Sequence, residues 1–205
     1  MDLAMPASNP LSDKIRDTRI HPQKFGLWVG IACLIMMFAA LTSAYIVRKA
    51  AGNWVEFKLP FNFFVSAGVM ILSSISIHWA YRSFKNDKLL PYQLSLGITF
   101  MLSLGFMLSQ YLGWQKLEEY GIYLSGNPSG SFVYVISYLH FAHVIGGVIF
   151  IFIAFIRSLI IFRNPAVFLI YRADSNKSIR IELLATYWHF VDVLWLYLLV
   201  FFMIS

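Results

Sequence analysis

The sequence predicts an all-α membrane protein in which five transmembrane helices form a bundle. Of its 205 residues, 59% are hydrophobic and only 13% are charged, whereas about a quarter of the residues in soluble proteins are charged. The apolar residues gather in five segments, each with the roughly 20 residues that a helix needs to cross a bilayer. The lysines and arginines lie in the connectors, where membrane topology is encoded.

The chain divides into a polar arm at residues 1–24 and a single membrane domain at residues 25–205. The arm carries prolines and mixed charges, so no cleavable signal peptide is predicted there. The five predicted helices cover residues 25–47, 61–81, 92–114, 132–156 and 183–204. The connectors are short except for residues 157–181, which contain Pro165.

Residues at the ends of these segments support the predicted limits. Pro22 lies close to the entry of the first helix, where a proline is well tolerated. Trp79 and Trp114 fall near the ends of the second and third segments, as in the aromatic belts at membrane surfaces. The fourth helix follows residues 126–130, whose composition is that of a turn.

The distribution of basic residues predicts the orientation. One side of the membrane receives 12 of the 16 lysines and arginines, and the other side receives 4. Because basic connectors stay in the cytoplasm, the N-terminus is predicted to be cytoplasmic and the C-terminus outside.

Charge and cysteine usage exclude other classes of protein. The net charge of +6 is spread over separate connectors, while nucleic-acid binding requires a clustered basic face. No nucleic-acid partner is therefore predicted. Cys33 is the single cysteine, so no internal disulfide can form.

The last predicted helix combines an apolar run with ionisable residues. At 100° per residue, Glu182, His189 and Asp192 fall on one side, and Trp188 and Trp195 occupy the adjoining strip. Asp192 lies near the membrane midplane, where a charge costs at least about 2.5 kcal/mol. Other helices are therefore expected to cover this polar face.

The fourth predicted helix offers a matching face. His140, His143 and Gly147 share one side at spacings of three and four residues, and Gly146 and Gly147 allow a neighbouring backbone to approach closely. Contact is therefore predicted between His140 or His143 and some of the polar residues of the last helix.

Three interpretations of this intramembrane cluster compete. Histidine and carboxylate are good metal ligands, but a haem–copper centre needs more histidines than the five present, and His21 and His78 are predicted to lie near the surface. No metal site and no catalytic residue are predicted. A proton relay and a hydrogen-bonded cluster that orients the helices both stay open.

Several motifs match a known family. They comprise residues 24–28 and 44–45 in the first helix, Gln110 and Trp114 in the third, residues 127–131, residues 138–147 in the fourth, and Glu182, Tyr187, Trp188, His189, Asp192 and Trp195 in the last. This pattern resembles subunit III of haem–copper terminal oxidases of the cytochrome c oxidase type. The resemblance runs from about Lys24 to the end, and five helices match the shorter bacterial form.

Two positions depart from that family's pattern. The family usually has a glutamate in this first helix, where the sequence has Leu34, and often an acid before the tryptophan of the third helix, where it has Gly113. A proton-handling role that depends on those acids is therefore not carried over.

The resemblance implies an accessory subunit of a bacterial respiratory oxidase in the cytoplasmic (inner) membrane. It would pack on subunit I, near subunit II and other respiratory subunits, hold structural phospholipid, and support proton uptake and turnover stability. Haem and copper would reside on the neighbouring subunits, where oxygen reduction drives proton translocation in aerobic respiration. The alternatives are subunit III of a quinol oxidase, a stand-alone proton or ion transporter, and an integral metal-dependent enzyme.

Overall fold

Five long helices account for almost all of the structure. The computed structural model describes residues 22–161, 167 and 175–205, and its regular structure there is entirely helical. The helices are α1 (Pro22–Ala50), α2 (Phe61–Lys85), α3 (Leu89–Glu119), α4 (Pro128–Ile161) and α5 (Ser175–Ile204). Each is long and apolar enough to cross a membrane, which confirms the predicted fold class. The predicted orientation of the termini stays a prediction.

The helices extend beyond the apolar segments that predicted them. The start of α2 at Phe61 and the end of α5 at Ile204 agree with the prediction. Elsewhere, helical hydrogen bonding continues into the polar flanks, because backbone pairing does not stop where the hydrocarbon region ends. Residues 1–21 of the predicted arm lie outside the described residues, and its last three residues form the first turn of α1. The division into arm and membrane domain stays a prediction.

Schellman motifs end α2 and α3 and make the connections that follow them short. A left-handed residue follows each helix, Asp87 with φ 57° and Gly121 with φ 76°. The next amide then donates to a carbonyl of the last helical turn, from Lys88 to Ser83 at 3.0 Å and from Ile122 to Leu117 at 3.0 Å. With only residues 86–88 between them, α2 and α3 become antiparallel neighbours.

The start of α4 is capped by a side chain. Asn127 accepts hydrogen bonds at Oδ1 from the Ser129 amide (2.9 Å) and the Ser129 hydroxyl (2.7 Å), and Pro128 occupies the first helical position. An asparagine cap followed by proline is a favoured helix start.

Helix α5 packs against three of the other four helices. It contacts α1, α2 and α4, while α3 packs against α2 and α4. Its fully buried tryptophans, Trp188 and Trp195, are the largest side chains of the core. The outer surface is apolar, with exposed Leu72, Ile75 and Met101 among many others, as expected of a surface that faces lipid tails.

Candidate functional site

The polar face of α5 meets two different helices instead of one. Near the start of the helix, Glu182 accepts a 2.7 Å hydrogen bond from Lys24 Nζ on α1. About two turns further on, His189 Nδ1 lies 2.5 Å from the hydroxyl of Ser74 on α2. The His189 ring also lies beside His78 of α2, with 5.9 Å between ring centroids.

Asp192 is the most deeply buried acidic residue of the described chain. Its exposed fraction is 3%, and neither carboxyl oxygen has a hydrogen-bond partner among the residues that the structure describes. The Ser74 hydroxyl interacts with this carboxyl group and also lies 2.5 Å from His189 Nδ1. A buried polar group without a partner is rare in native proteins, so Asp192 marks a site that packing alone does not explain.

His140 lies in an aromatic enclosure. Its ring stacks on Trp195, with centroids 5.0 Å apart and planes at 25°, and meets the edges of Phe38 and Phe106 at 6.4 and 6.0 Å. Both ring nitrogens lack a hydrogen-bond partner within the described part of the chain. His140 therefore packs as a flat ring, and its nitrogens form no hydrogen bond with a described residue.

The ring of His143 forms a hydrogen bond within its own helix. Its Nδ1 lies 2.7 Å from the carbonyl oxygen of Leu139. The link from α4 to α5 comes instead from the backbone, since the His143 carbonyl accepts a 3.0 Å hydrogen bond from the Tyr187 hydroxyl.

The predicted pairing between the α4 histidines and the polar face of α5 is not formed by hydrogen bonds. Among the described residues, no hydrogen bond or ion pair joins His140 or His143 to Glu182, His189 or Asp192. The physical reason is the rotation of α5. Its aromatic strip meets α4, so its polar strip faces α1 and α2. Whether the five residues act together in function stays a prediction.

Two buried tryptophan–serine bonds join α5 to α2. Trp188 Nε1 donates to Ser73 Oγ at 2.9 Å, and Trp195 Nε1 donates to Ser66 Oγ at 3.1 Å. Gln110 of α3 also donates to Ser66, at 2.8 Å. These serines were not predicted as partners, although a signal exists in the sequence. Both the serines and the tryptophans are seven residues apart, which places each pair on one helix face.

The two predicted close-packing glycines have different surroundings. A Cβ on Gly147 would lie 2.8 Å from Trp188 Cζ3 and 3.2 Å from Tyr187 Cε1, so aromatic rings of α5, and not its backbone, approach closely there. A Cβ on Gly146 would meet nothing within 4 Å, so the prediction of a close approach at Gly146 is wrong. Gly146 is one residue further around the helix, outside the contact with α5.

The two departures from the family pattern also have structural consequences. A Cβ on Gly113 would lie 3.0 Å from Cε2 of Phe63, so an acid at this position would collide with a buried aromatic ring. Leu34 packs at the edge of the apolar core. Both positions therefore serve packing in this chain.

A cleft of about 720 Å³ opens between the start of α1, the end of α4 and the start of α5. Gly146, Phe150 and Leu184 are among the residues of its largely apolar wall, and Gln23, Arg157 and Arg180 provide polar groups. This volume is typical of small-molecule sites. This cleft was not predictable from the sequence, because its walls come from residues more than 150 positions apart.

Metal ligation finds no support in the arrangement of side chains. Within residues 22–161, 167 and 175–205, no three His, Cys, Asp or Glu side chains come close enough to bind one metal ion. His21, one of the five histidines, lies outside the described residues.

Comparison with known proteins identifies the family of this chain. Residues 23–205 match the family model of cytochrome c oxidase subunit III. The chain is 26% identical to "Probable cytochrome c oxidase subunit 3" of Mycobacterium bovis over 176 residues, which cover 83% of this chain and 82% of the relative.

Animal relatives match over a shorter region. "Cytochrome c oxidase subunit 3" of Raphicerus campestris is 32% identical over 136 residues, 66% of this chain and 47% of the relative. The protein of the same name in Myxine glutinosa is 28% identical over 144 residues, 70% of this chain and 49% of the relative. The chain thus spans about half the length of these animal relatives. Because the family model covers nearly all of it, the chain belongs to the cytochrome c oxidase subunit III family.

Proposed function

We propose that this chain is the accessory subunit III of a bacterial haem–copper oxidase of the cytochrome c type. It packs on subunit I, with subunit II nearby, in the cytoplasmic membrane, and supports proton uptake and stability during turnover. The redox groups that reduce oxygen belong to the neighbouring subunits. Family membership and the mycobacterial relative, which is matched over 82% of its length, support this proposal.

The use of polar groups in the bundle supports a structural role for this chain. The N–H groups of Trp188 and Trp195 bind the hydroxyls of Ser73 and Ser66 on α2, which joins the two helices. The His143 ring bonds its own helix, and carbon atoms of aromatic rings enclose His140. These contacts orient the helices.

The lining of the cleft supports the proposal that the subunit holds a phospholipid. Its apolar walls suit acyl chains, while Arg157 at the end of α4 and Arg180 near the start of α5 lie at the same cleft. Guanidinium groups bind phosphate through paired hydrogen bonds. The nearby carboxylate of Glu182 is already paired with Lys24, which reduces its repulsion of a phosphate.

Purification of the complex from cells tests both parts of the proposal. The chain is expected to co-purify with haem-bearing subunits, and the double variant Arg157→Gln/Arg180→Gln is expected to retain less phospholipid phosphorus per haem and to inactivate sooner during turnover. Arg48→Gln is a matched control, since Arg48 lies in the last turn of α1, outside the cleft lining.

Two outcomes would overturn the proposal. Isolation of the chain without haem-bearing subunits, together with proton movement in liposomes that contain it alone, would indicate a stand-alone transporter. A phospholipid content that is equal in the double variant and the Arg48 control would refute the assignment of the cleft.

A further inference from the structure

Polar side chains continue along α2 from the membrane edge into the apolar region. Lys85, Arg82 and His78 are spaced at three and four residues, so they share one face of the helix, and all three are exposed. An exposed imidazole inside an apolar span is costly and is a functional-site hypothesis by default. His78 lies about 10 Å along the axis from Lys85, at 1.5 Å per residue.

The next polar side chain after His78 lies on α5, and the one after that lies on α2 again. The rings of His78 and His189 have centroids 5.9 Å apart, a separation that one bridging water molecule closes. His189 Nδ1 lies 2.5 Å from Ser74 Oγ. Ser74 in turn is the polar side chain that interacts with Asp192.

These groups end at the carboxyl group of Asp192. Asp192 is 3% exposed, and its oxygens are unpaired among the described residues. Burying a carboxylate without a cation or a donor is far more costly than burying the neutral acid. A carboxyl group at this depth exchanges its proton with water only through neighbouring polar groups.

The charged and titratable groups around Asp192 leave one such route in the described bundle. On α1, Lys24 is bound to Glu182. On α4, His140 is enclosed by aromatic rings and has unbonded nitrogens, and His143 bonds its own helix. Helix α2 alone contributes an exposed titratable group in contact with His189.

We propose that His78, His189 and Ser74 form a proton relay that connects the aqueous surface to the carboxyl group of Asp192. This inference goes beyond the accessory role proposed above and concerns the chemistry of this chain's own residues. The relay sets the charge of Asp192, and therefore the polarity of the seam between α2 and α5.

The transfer moves one proton without a change in oxidation state. Protonated His78 gives a proton, directly or through one water molecule, to the Nε2 atom of His189. The Nδ1–H of His189 gives its proton to Ser74 Oγ, and the Ser74 hydroxyl gives its own proton to an oxygen of Asp192. Each intermediate atom gains one proton and loses one, and rotation of the hydroxyl and the rings resets the relay.

Infrared spectroscopy of the purified complex in lipid tests the relay. The carboxyl stretch of Asp192 is the band present in the wild type and absent in Asp192→Asn, and transfer to heavy water shifts this band when the proton exchanges. His78→Leu is expected to slow that exchange about a hundredfold, the lower range for loss of a positioned acid–base group. His143→Leu, the same replacement outside the relay, is expected to exchange at the wild-type rate.

A second variant distinguishes loss of the relay from misfolding. His78→Gln keeps a hydrogen-bonding side chain but does not titrate, so it is expected to slow exchange as His78→Leu does. Absence of a carboxyl band that depends on Asp192 would overturn the proposal, as would equal exchange rates in the wild type and in both His78 variants. Exchange is measured without turnover, so this result is separate from the tests of the accessory role.

Discussion

Gly147 of α4 lies against the indole ring of Trp188 of α5, at a distance that leaves no room for a methyl group. A Cβ on Gly147 would lie 2.8 Å from Cζ3 and 2.9 Å from Cε3 of this ring. Trp188 is fully buried and is held from the other side by its bond to Ser73 of α2. The ring therefore sits between two helices and cannot move without breaking one of the two contacts.

Gly147→Ala is expected to destabilise the folded bundle by about 1–3 kcal/mol, the usual range for overpacking of a filled core. The measurement is the free energy of unfolding of the chain in mixed micelles, followed by tryptophan fluorescence. Gly146→Ala is the matched control, because a methyl group there meets nothing within 4 Å and alanine favours the helix. Equal losses in the two variants would contradict the close contact.

The hydrogen bond between Trp188 and Ser73 is expected to contribute about 0.6 kcal/mol, as polar bonds between helices in membranes do on average. A double-mutant cycle with Trp188→Phe and Ser73→Ala measures this coupling. The control cycle combines Ser73→Ala with Trp114→Phe, since Trp114 donates to Ser137 and not to Ser73. A coupling no larger in the first cycle than in the control would refute the bond.

His140→Phe is expected to be neutral or stabilising for the folded bundle. Both ring nitrogens are buried without partners among the described residues, and replacing such a group with an apolar one of similar shape removes a desolvation penalty. His140→Ala, by contrast, leaves a cavity beside Trp195 and is expected to lose about 2–4 kcal/mol. Unfolding free energies compare the two variants. Equal damage from both would show that the imidazole nitrogens are required.

The ion pair between Lys24 and Glu182 is expected to secure the first turn of α1 while adding little to global stability. Its side chains are 35% and 40% exposed, and ion pairs of this kind contribute at most about 1 kcal/mol. Lys24→Met is expected to speed hydrogen exchange in the first turn of α1, and added salt to reduce the difference. Lys116→Met is the control, because the partner of Lys116 is Glu119 on the same helix. Unchanged exchange in Lys24→Met would contradict the tie to α5.

Much of the fold was predictable from sequence because the bilayer imposes a length on each helix. The number of helices followed from counting apolar segments, and the ends at Phe61 and Ile204 were correct. The other helix ends were predicted too short, because a count of apolar residues stops at the first polar residue. Helical hydrogen bonding continues through those polar residues. The motifs of the last helix also sufficed to recognise the family that the comparison shows.

The candidate site was predictable only in part. Helical periodicity grouped Glu182, His189 and Asp192 on one face of α5, and it singled out Gly147, which lies against aromatic rings of α5. It did not find Ser74 and His78 as neighbours of His189, since nothing in a single helix identifies the residues that face it. The cleft beside Arg157 and Arg180 was missed for the same reason.

The sequence by itself determined the membrane-spanning character of the chain, the number of its helices, and the side of α5 on which each polar residue lies. These properties depend on composition and on the period of a single helix. Only the tertiary structure decided that the tryptophans turn toward the α4 glycine and the α2 serines, and that Asp192 is buried near Ser74. Those outcomes depend on the rotation of α5 against three neighbours, which is set by how their side chains interlock.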